Sequence, residues 1–345
     1  EYDAKATLDA ARHSTIHVQA VHPEDNVGTN LADELTPLNY YTILSDEEPA
    51  SVYTNANLRS FYITQPLQIN MENDSLHMRF YSPVGIKEVT VMAKSPTMDE
   101  YVEFVYIDNI PAFADIKTSI KVLEKGLYRT ESGKVLQFSA EEMNPASLSL
   151  KIACNDPYWT KISQIKAKWY IKFVLNGGNP VTGTPNKNWW GIRPVHCREA
   201  VALFLNIGYM CTLEKFQQRV STFQGTFLDN NRYPVDTSTL ISRLENLSGF
   251  DIGLIYSGNG VSGLGGGRTW GVYQKSFLYH YENSGGCCST IFHELGHCLG
   301  YNHNSTMTYG QWASGCADVF YKNNIKDFPV NSHTILKSRS NPNIY

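Results

Sequence analysis

The sequence predicts an α+β fold in two parts, an N-terminal antiparallel β-sandwich-like domain followed by a domain of mixed α/β structure. Three observations support this prediction. The chain of 345 residues is long enough for two domains of ordinary size, each with its own core. Alternating segments typical of strands fill the first half, whereas helical periodicity enters only in the second. The hydrophobic fraction of 42% and the charged fraction of 18% are those of a folded chain.

The first half divides into a lead-in and a set of short strands. Residues 1–55 have little periodicity and several turn formers, which predicts a loosely structured lead-in draped over the domain behind it. From residue 58 to residue 155, alternating segments are separated by Pro, Gly, Asn or Asp turns, as in an antiparallel sandwich. These segments are SFYIT, PLQIN, LHMRFYS, IKEVTVMA, YVEFVYI, TSIKVL, KVLQF and SLSLKIA. We place the boundary near residue 158, so that residues 1–158 hold the lead-in and an accessory domain.

Residues 159–345 mix helices and strands. The strand candidate AKWYIKFVLN, residues 167–176, either opens this domain or closes the sandwich. Helical spacing of apolar residues predicts helices in CREAVALFLNIGYM, LEKFQQRVSTF and STLISRLENL. Strands are predicted in FDIGLIYSG and TWGVYQKSF, on either side of the glycine-rich turn GNGVSGLGGG. That turn lacks the lysine and the following helix of a phosphate-binding loop, so it does not predict nucleotide binding.

Charge and hydropathy exclude two classes of partner. A formal net charge of -4 and a pI near 6.2 provide no basic field for nucleic acid or anionic lipid. No window approaches the roughly 18 apolar residues of a membrane-spanning helix. The first twenty residues lack the apolar core of a signal peptide, so no leader is expected in this chain. Oligomeric state is left open.

The cysteines leave the redox compartment open. Seven are present, and an odd number leaves at least one outside any set of internal disulfides. None has the CxxC spacing of a zinc ribbon or a redox motif. Two interpretations remain: one of the adjacent pair Cys287 and Cys288 bridges to Cys316 or another downstream partner, or all seven are buried thiols.

The chemistry is concentrated in residues 289–303, which read STIFHELGHCLGYNH. Ser289 or Thr290 is a plausible N-cap for a helix through His293 and His297. Histidines four residues apart share one helix face, about 6 Å apart at their β-carbons. Both imidazoles can therefore approach one Zn²⁺ at about 2.0 to 2.1 Å.

The residues around the two histidines complete a catalytic zinc site. Glu294 projects toward the same edge, where a carboxylate can act as the general base on zinc-bound water. Gly300 permits a left-handed exit from the helix, so that His303 can be the third ligand. Three neutral imidazoles leave one coordination position open for water. The alternative is that His293 and His297 are ordinary surface or packed histidines, but the pattern HExxHxxGxxH fixes five positions over eleven residues.

Residues 293–303 resemble the signature of the metzincin family of zinc-dependent endopeptidases. The resemblance implies a methionine turn in residues 305–309, with Met307 as an apolar floor under the histidines. In some branches a tyrosine two residues later contacts the zinc or stabilises the oxyanion, and Tyr309 matches that position. The alternatives are core packing for Met307 and a structural hydrogen bond for Tyr309.

The resemblance covers residues 160–320 and explains nothing before residue 155. Only three residues separate His303 from Met307, whereas many metzincins have a longer segment there. The strand TWGVYQKSF resembles the family's substrate-pairing strand by position. A thermolysin-like site would instead need a carboxylate as third ligand, for which Asp318 is the best candidate.

The function predicted is that of a zinc metalloendopeptidase with one catalytic Zn²⁺, acting on extracellular proteins or peptides, glycoproteins among them. The alternatives are an inactive metallopeptidase-like binding or adhesion protein and a zinc hydrolase of non-peptide amides. The resemblance implies secretion or a cell-surface location. The sequon Asn304-Ser305-Thr306 beside the third ligand favours a bacterial source, because a glycan there would crowd the cleft. Residues 1–158 contain no cysteine-switch pattern for latency.

Overall fold

The computed structural model describes residues 15–20, 35–282 and 287–332. The parts of the predicted lead-in at residues 1–14 and 21–34 lie outside this description. The fold is mixed α+β with several antiparallel sheets, which confirms the predicted class. The chain forms two compact units. Among the described residues, one unit comprises 15–20, 35–43 and 66–160, and the other comprises 44–65, 161–282 and 287–332.

The elements of the first part of the chain are β1 (Thr15–Ala20), β2 (Leu35–Asn39), β3 (Tyr41–Thr42), α1 (Ala50–Tyr53), β4 (Ser60–Tyr62), β5 (Leu67–Glu72), β6 (Ser75–Phe80), β7 (Ile86–Lys94), β8 (Val102–Ile110), β9 (Ala114–Ser119), β10 (Lys125–Arg129), β11 (Val135–Ser139), β12 (Ser149–Cys154) and α2 (Pro157–Ile162). Those of the second part are β13 (Tyr170–Phe173), β14 (Trp189–Trp190), α3 (Pro194–Met210), α4 (Glu214–Ser221), α5 (Thr237–Glu245), β15 (Gly249–Ile255), β16 (Gly263–Gly266), β17 (Thr269–Val272), α6 (Gln274–Tyr279), α7 (Cys287–Cys298) and α8 (Val319–Asn324). A π-helical turn, Ala313–Asp318, precedes α8.

The unit that contains residues 66–160 has two antiparallel sheets. One has the order β12-β7-β8-β1-β2 and the other the order β3-β9-β6-β5, while β10 and β11 form a separate hairpin. Side chains from both sheets, such as Phe80 and Phe104, belong to one buried hydrophobic cluster. The alternating strands thus bury one face each in a shared core, as in a sandwich. We call this the sandwich unit.

The prediction of an irregular lead-in is wrong for three segments. Residues 15–20 and 35–39 form β1 and β2, and β1 pairs with β8 through Val18 and Ile107. Residues 44–65 instead belong to the other unit, where β4 pairs with β13. The segment TIHVQA does alternate, but it is short and lies among turn formers. Its strand structure depends on pairing with distant strands, which no local pattern predicts.

The second unit is built on the sheet β16-β17-β15-β13-β4. We call it the histidine unit. Strands β13, β15 and β17 are parallel, and β16 is antiparallel to β17. Residues 170–173 therefore belong to this sheet, so the strand predicted at 167–176 lies in the second unit. The three predicted helices are confirmed as α3, α4 and α5. The predicted strand TWGVYQKSF is wrong in its second half, because α6 begins at Gln274.

Helix α7 is held in place by two buried tryptophans. The indole Nε1 of Trp270 in β17 donates to Ile291 O at 3.3 Å. The indole Nε1 of Trp312, next to the π-helical turn, donates to Phe292 O at 3.1 Å. Both side chains are fully buried, and replacing such a residue with Ala costs about 3 to 5 kcal/mol.

Within the described ranges, no helix has the length and apolar character needed to cross a bilayer.

Candidate metal centre

Helix α7 carries the first two histidines and ends immediately after the second. It begins at Cys287, so the predicted N-cap at Ser289 or Thr290 is wrong, and both residues lie inside the helix. The left-handed exit is confirmed, since Gly300 has a φ of 96°. Tyr301 N donates to Gly296 O at 3.1 Å and Gly300 N donates to His297 O at 2.9 Å. This hydrogen-bond pair is a Schellman motif, which reverses the chain toward His303.

The three histidines converge through their Nε2 atoms. His297 Nε2 lies 3.2 Å from His293 Nε2 and 3.0 Å from His303 Nε2. Each residue offers one ligand atom, and these atoms all lie within 4.8 Å of one another. Nitrogen ligands in a tetrahedral zinc site are about 3.3 Å apart, given Zn–N bonds of about 2.0 to 2.1 Å. The separations of 3.2 and 3.0 Å match those of ligands around a single ion.

The opposite ring nitrogens fix the tautomers. His293 Nδ1 donates to Thr308 O, and His297 Nδ1 donates to Tyr301 O at 2.7 Å. Because a carbonyl oxygen only accepts, each Nδ1 carries the proton and each neutral ring has a lone pair at Nε2. Burial lowers the pKa of both His293 and His297, which favours the neutral rings. The two Nε2 atoms are 3.2 Å apart, and their lone pairs repel each other unless a cation lies between them.

Glu294 is buried beside the triad. Its Oε1 lies 3.9 Å from His293 Nε2, and the residue is 3% exposed. Burial raises the pKa of this carboxyl to about 8. A cation held by the histidines would lower that pKa and stabilise the carboxylate. A positive charge at the point where the Nε2 atoms meet would therefore complement both the triad and Glu294.

Two glycines of β16 position Glu294, and sequence reasoning missed both. A β-carbon on Gly263 would lie 2.4 Å from Glu294 Oε1, so a side chain there would displace the carboxylate. A β-carbon on Gly265 would lie 2.6 Å from Glu294 O, so a side chain there would push the strand off the helix. The sequence feature that could have indicated them is the glycine-rich run GNGVSGLGGG. Its glycines allow strand and helix to approach closely.

A distant segment holds the loop that carries His303. Asn230 Nδ2 donates to Gly300 O at 3.0 Å, and Asn230 Oδ1 accepts from Asn302 N at 2.7 Å. Leu228 N donates to Thr306 Oγ1 at 2.7 Å, and Thr306 N donates to Leu228 O at 3.0 Å. These bonds bracket His303 on both sides. No local pattern predicts them, because about 70 residues separate the partners.

Met307 and Tyr309 lie in the turn that follows. Met307 is fully buried, and its carbonyl oxygen would be 2.3 Å from a β-carbon on Gly296, so the turn packs against the backbone of α7. Tyr309 is 52% exposed, with its ring 5.0 Å from that of His293 and 5.3 Å from that of His303, centroid to centroid. The structure thus places Tyr309 against two of the three imidazoles.

The three histidines, Glu294 and Tyr309 line an open cleft of about 570 Å³. Strand β16 borders it on one side, and Ala313 and Ser314 of the π-helical turn border it on another. The prediction that TWGVYQKSF supplies a free edge is wrong, because β17 pairs with both β15 and β16. Among the described strands, β16 and β4 are the two edges of this sheet, and β16 is the edge that lines the cleft. The strand order, which the sequence alone does not reveal, decides which edge is free.

The alternative ligand Asp318 is not part of the cluster. Among the described residues, the histidine triad is the group of possible metal ligands that the structure brings together. The Asp318 carboxylate is buried, and its Oδ2 accepts from Lys322 Nζ at 3.1 Å. The helical (i, i+4) pairing with Lys322 gives Asp318 Oδ2 a partner without a metal.

The predicted bridge to Cys316 is wrong. Cys316 is a free, buried thiol, and so are Cys197, Cys211 and Cys298, while Cys154 is free and partly buried. The side chain of Cys287 lies outside the described part of the chain. Burial raises the pKa of the Cys298 and Cys316 thiols to about 12, which favours the unreactive protonated form.

Comparison with known proteins identifies no relative. No family model, no curated protein and no solved structure matches the chain at a significant level. The chemistry of the cleft therefore rests on its own geometry.

Proposed function

We propose that the chain is a zinc-dependent endopeptidase of the metzincin type. One observation carries the proposal: three histidine Nε2 atoms converge at ligand spacing while backbone carbonyls hold the protons of two of the rings at Nδ1. The Schellman turn at Gly300, the buried turn at Met307 and the edge strand beside the cleft support a metzincin-like arrangement of the histidine unit.

The donor set suits zinc better than a hard cation. Imidazole nitrogens are favoured ligands of Zn²⁺, whereas Ca²⁺ and Mg²⁺ prefer oxygen ligands. His293, His297 and His303 would hold the ion and leave a position for water or substrate. Zinc bound there would supply a Lewis acid that acidifies water and polarises a carbonyl group.

Glu294 is the general base of the proposed reaction. Its carboxylate accepts a proton from the attacking water and delivers it to the leaving amine nitrogen, which completes hydrolysis of the peptide bond. Gly263 and Gly265 leave room for the carboxylate in this position. In this proposal Tyr309, exposed beside two imidazoles, donates a hydrogen bond from its phenolic hydroxyl to the developing oxyanion.

An extended peptide suits the cleft. The edge strand β16 can pair with a substrate backbone, and its glycines present main-chain atoms without obstruction. The proposed substrates are proteins or peptides outside the cell, glycoproteins among them, and the proposed location is secreted or at the cell surface.

Elemental analysis and proteolysis test the proposal together. We expect about one zinc per chain in wild type, a lower content in His303→Ala, and wild-type content in Glu294→Gln. Cleavage of a denatured protein should be sensitive to a chelator and lost in both variants. His77→Ala, in the sandwich unit, is the matched histidine control and should change neither property. A carefully handled wild type without zinc, or cleavage that survives Glu294→Gln, would overturn the proposal.

A further inference from the structure

A second cleft lies on the outer face of the five-stranded sheet in the sandwich unit. Its volume is about 800 Å³, within the range of small-ligand sites. The lining comes from β7, β8 and β12, from the β10–β11 hairpin, and from the turn between those two strands. None of these elements contributes to the histidine cleft.

Cross-strand pairing builds the floor in two rows. Met92 pairs with Glu103 on one side and with Lys151 on the other. Thr90 pairs likewise with Tyr106 and Ala153. Paired residues of antiparallel strands project from the same face, so the rows place these side chains next to one another. The floor therefore combines an aromatic ring, an apolar thioether and charged groups.

A β-bulge in β8 puts Glu103 and Tyr106 on this one face. The register shifts between Val91 and Met92 of the partner strand, which adds one residue to β8. Phe104 and Val105 are both fully buried on the core side as a result. Bulges of this kind redirect side chains and are common next to functional sites. Without the extra residue, Glu103 and Tyr106 would project from opposite faces.

One carboxylate oxygen in the cleft lacks a partner. Glu103 Oε2 is buried, and no described residue gives it a hydrogen bond. Glu88, which also lines the cleft, has a φ of 55°, a left-handed conformation that a glutamate rarely adopts. A buried acceptor without a donor and a strained backbone are both unfavourable in the isolated fold. A ligand that donates a hydrogen bond would supply the partner that Glu103 Oε2 lacks.

The charges around the cleft are mixed. Lys151 Nζ pairs with Glu131 Oε1 and lies 4.3 Å from the centroid of the Tyr101 ring. Arg129 adds a second cation to the lining, and Glu88 and Glu103 add two carboxylates. The lining thus contains both acceptors and donors, without the basic excess that a phosphate or a nucleic acid would require.

We propose that this cleft binds a neutral saccharide. Each sugar hydroxyl both donates and accepts, so one ring can satisfy Glu103 Oε2 and also bond a neighbouring cation. The C–H face of a sugar packs on an aromatic ring such as that of Tyr106, which lines the cleft together with Met92. A diamine would satisfy the carboxylates, but it would bring two further positive charges to a lining that already contains Arg129 and Lys151. The proposal does not depend on the zinc site.

The test titrates the full chain with lactose, cellobiose and N,N′-diacetylchitobiose, and with cadaverine as the diamine probe. Binding is followed by saturation-transfer NMR and calorimetry. Glu103→Gln replaces the unpartnered acceptor, and Ala153→Phe obstructs the floor from an exposed position. Glu141→Gln is the matched control, an exposed glutamate of the same unit that does not line the cleft.

At least one disaccharide should bind to wild type. Affinity should fall by about tenfold or more in Glu103→Gln and Ala153→Phe, and stay within about twofold in Glu141→Gln. The melting temperature of Glu103→Gln should equal or exceed that of wild type, because the substitution removes a buried, unpartnered charge. Binding of cadaverine alone, binding of no probe, or sugar binding that is unchanged in Glu103→Gln would each overturn the proposal.

Discussion

The two clefts differ in how their polar atoms are satisfied. In the histidine cleft, backbone carbonyls accept hydrogen bonds from Nδ1 of His293 and of His297. The side chain of Asn230 forms hydrogen bonds with the loop before His303. In the sandwich cleft, Glu103 Oε2 is buried without a hydrogen-bond partner from the described chain. The first cleft has its imidazoles fixed around one point, whereas the second has an acceptor without a described donor. Ligand removal should therefore affect the two units differently.

The largest expected effect is a difference between the two units in hydrogen exchange when metal is removed. A ligand that binds only the folded state at a concentration 100 times its Kd stabilises that state by about 2.7 kcal/mol. Hydrogen exchange should therefore speed up in residues 293–303 and 226–232 when a chelator is added. Peptides from β7 and β8 should keep their protection.

Readdition of zinc supplies the control for that experiment. Protection should return in residues 293–303 and stay unchanged in the sandwich unit. Equal loss of protection in both units would contradict the assignment of the metal to the histidine unit alone.

The second prediction concerns the glycines of β16. In Gly263→Ala the three atoms nearest to the new methyl group all belong to the flexible side chain of Glu294, so we expect the carboxylate to move and the fold to stay. Peptidase activity should fall about 100-fold, as expected for a catalytic group displaced by about 1 Å, with zinc content unchanged. In Gly265→Ala the methyl group meets the backbone of Glu294, which should cost about 1 to 3 kcal/mol of stability.

Gly310→Ala is the matched control for both glycine variants. A β-carbon added at Gly310 would contact no other atom, since nothing lies within 4 Å of it. The control should retain wild-type activity and stability. Full activity in Gly263→Ala would show that Glu294 does not act from the position that the glycine leaves open.

The contrast between the clefts also explains what could be predicted from the sequence. The three histidines lie within eleven residues, and helix geometry alone brings His293 and His297 together. The contacts of Asn230 and Gly263 depend on how distant segments pack, so no local pattern predicts them. The floor of the sandwich cleft needs the register of three strands and a bulge. The α+β class and the strand-rich first half were predictable, because periodicity is local.

The third prediction tests the segment that holds His303. Asn230→Ala removes the hydrogen bonds to Gly300 O and Asn302 N, and the backbone leading to the third ligand becomes freer. Zinc affinity should fall about 10- to 100-fold, as is typical when a group that orients a ligand is lost. Competition with a chromophoric chelator measures this affinity, and the visible spectrum of the cobalt-substituted protein reports the altered geometry.

Two variants make the third prediction specific. Asn230→Asp keeps the acceptor for Asn302 N and should recover part of the affinity. Asn231→Ala, at an exposed neighbouring position, should leave the affinity unchanged. An unaltered cobalt spectrum and affinity in Asn230→Ala would show that His303 is held in place without this side chain.

The smallest expected effect is a pH dependence of the sandwich unit. A hydrogen bond from Lys117 and a second from His77 lower the pKa of Glu72 from 4.5 to about 2. A carboxyl whose pKa is lower in the folded state stabilises the fold above its unfolded pKa, and this contribution is lost as the pH falls from about 4.5 toward 2. Since the pair is largely exposed, the contribution should stay below about 1 kcal/mol.

Glu72→Gln should therefore flatten the decline in stability of the sandwich unit between pH 4.5 and pH 2, the range set by that shift. Urea unfolding at several pH values, followed by a probe in this unit, measures the change. Because the pair is exposed, salt should screen it and reduce the difference between wild type and variant. A difference that persists in high salt would mean that Glu72 acts through packing rather than charge. The histidine unit should show no change in either condition, since Glu72 and its two partners all lie in the sandwich unit.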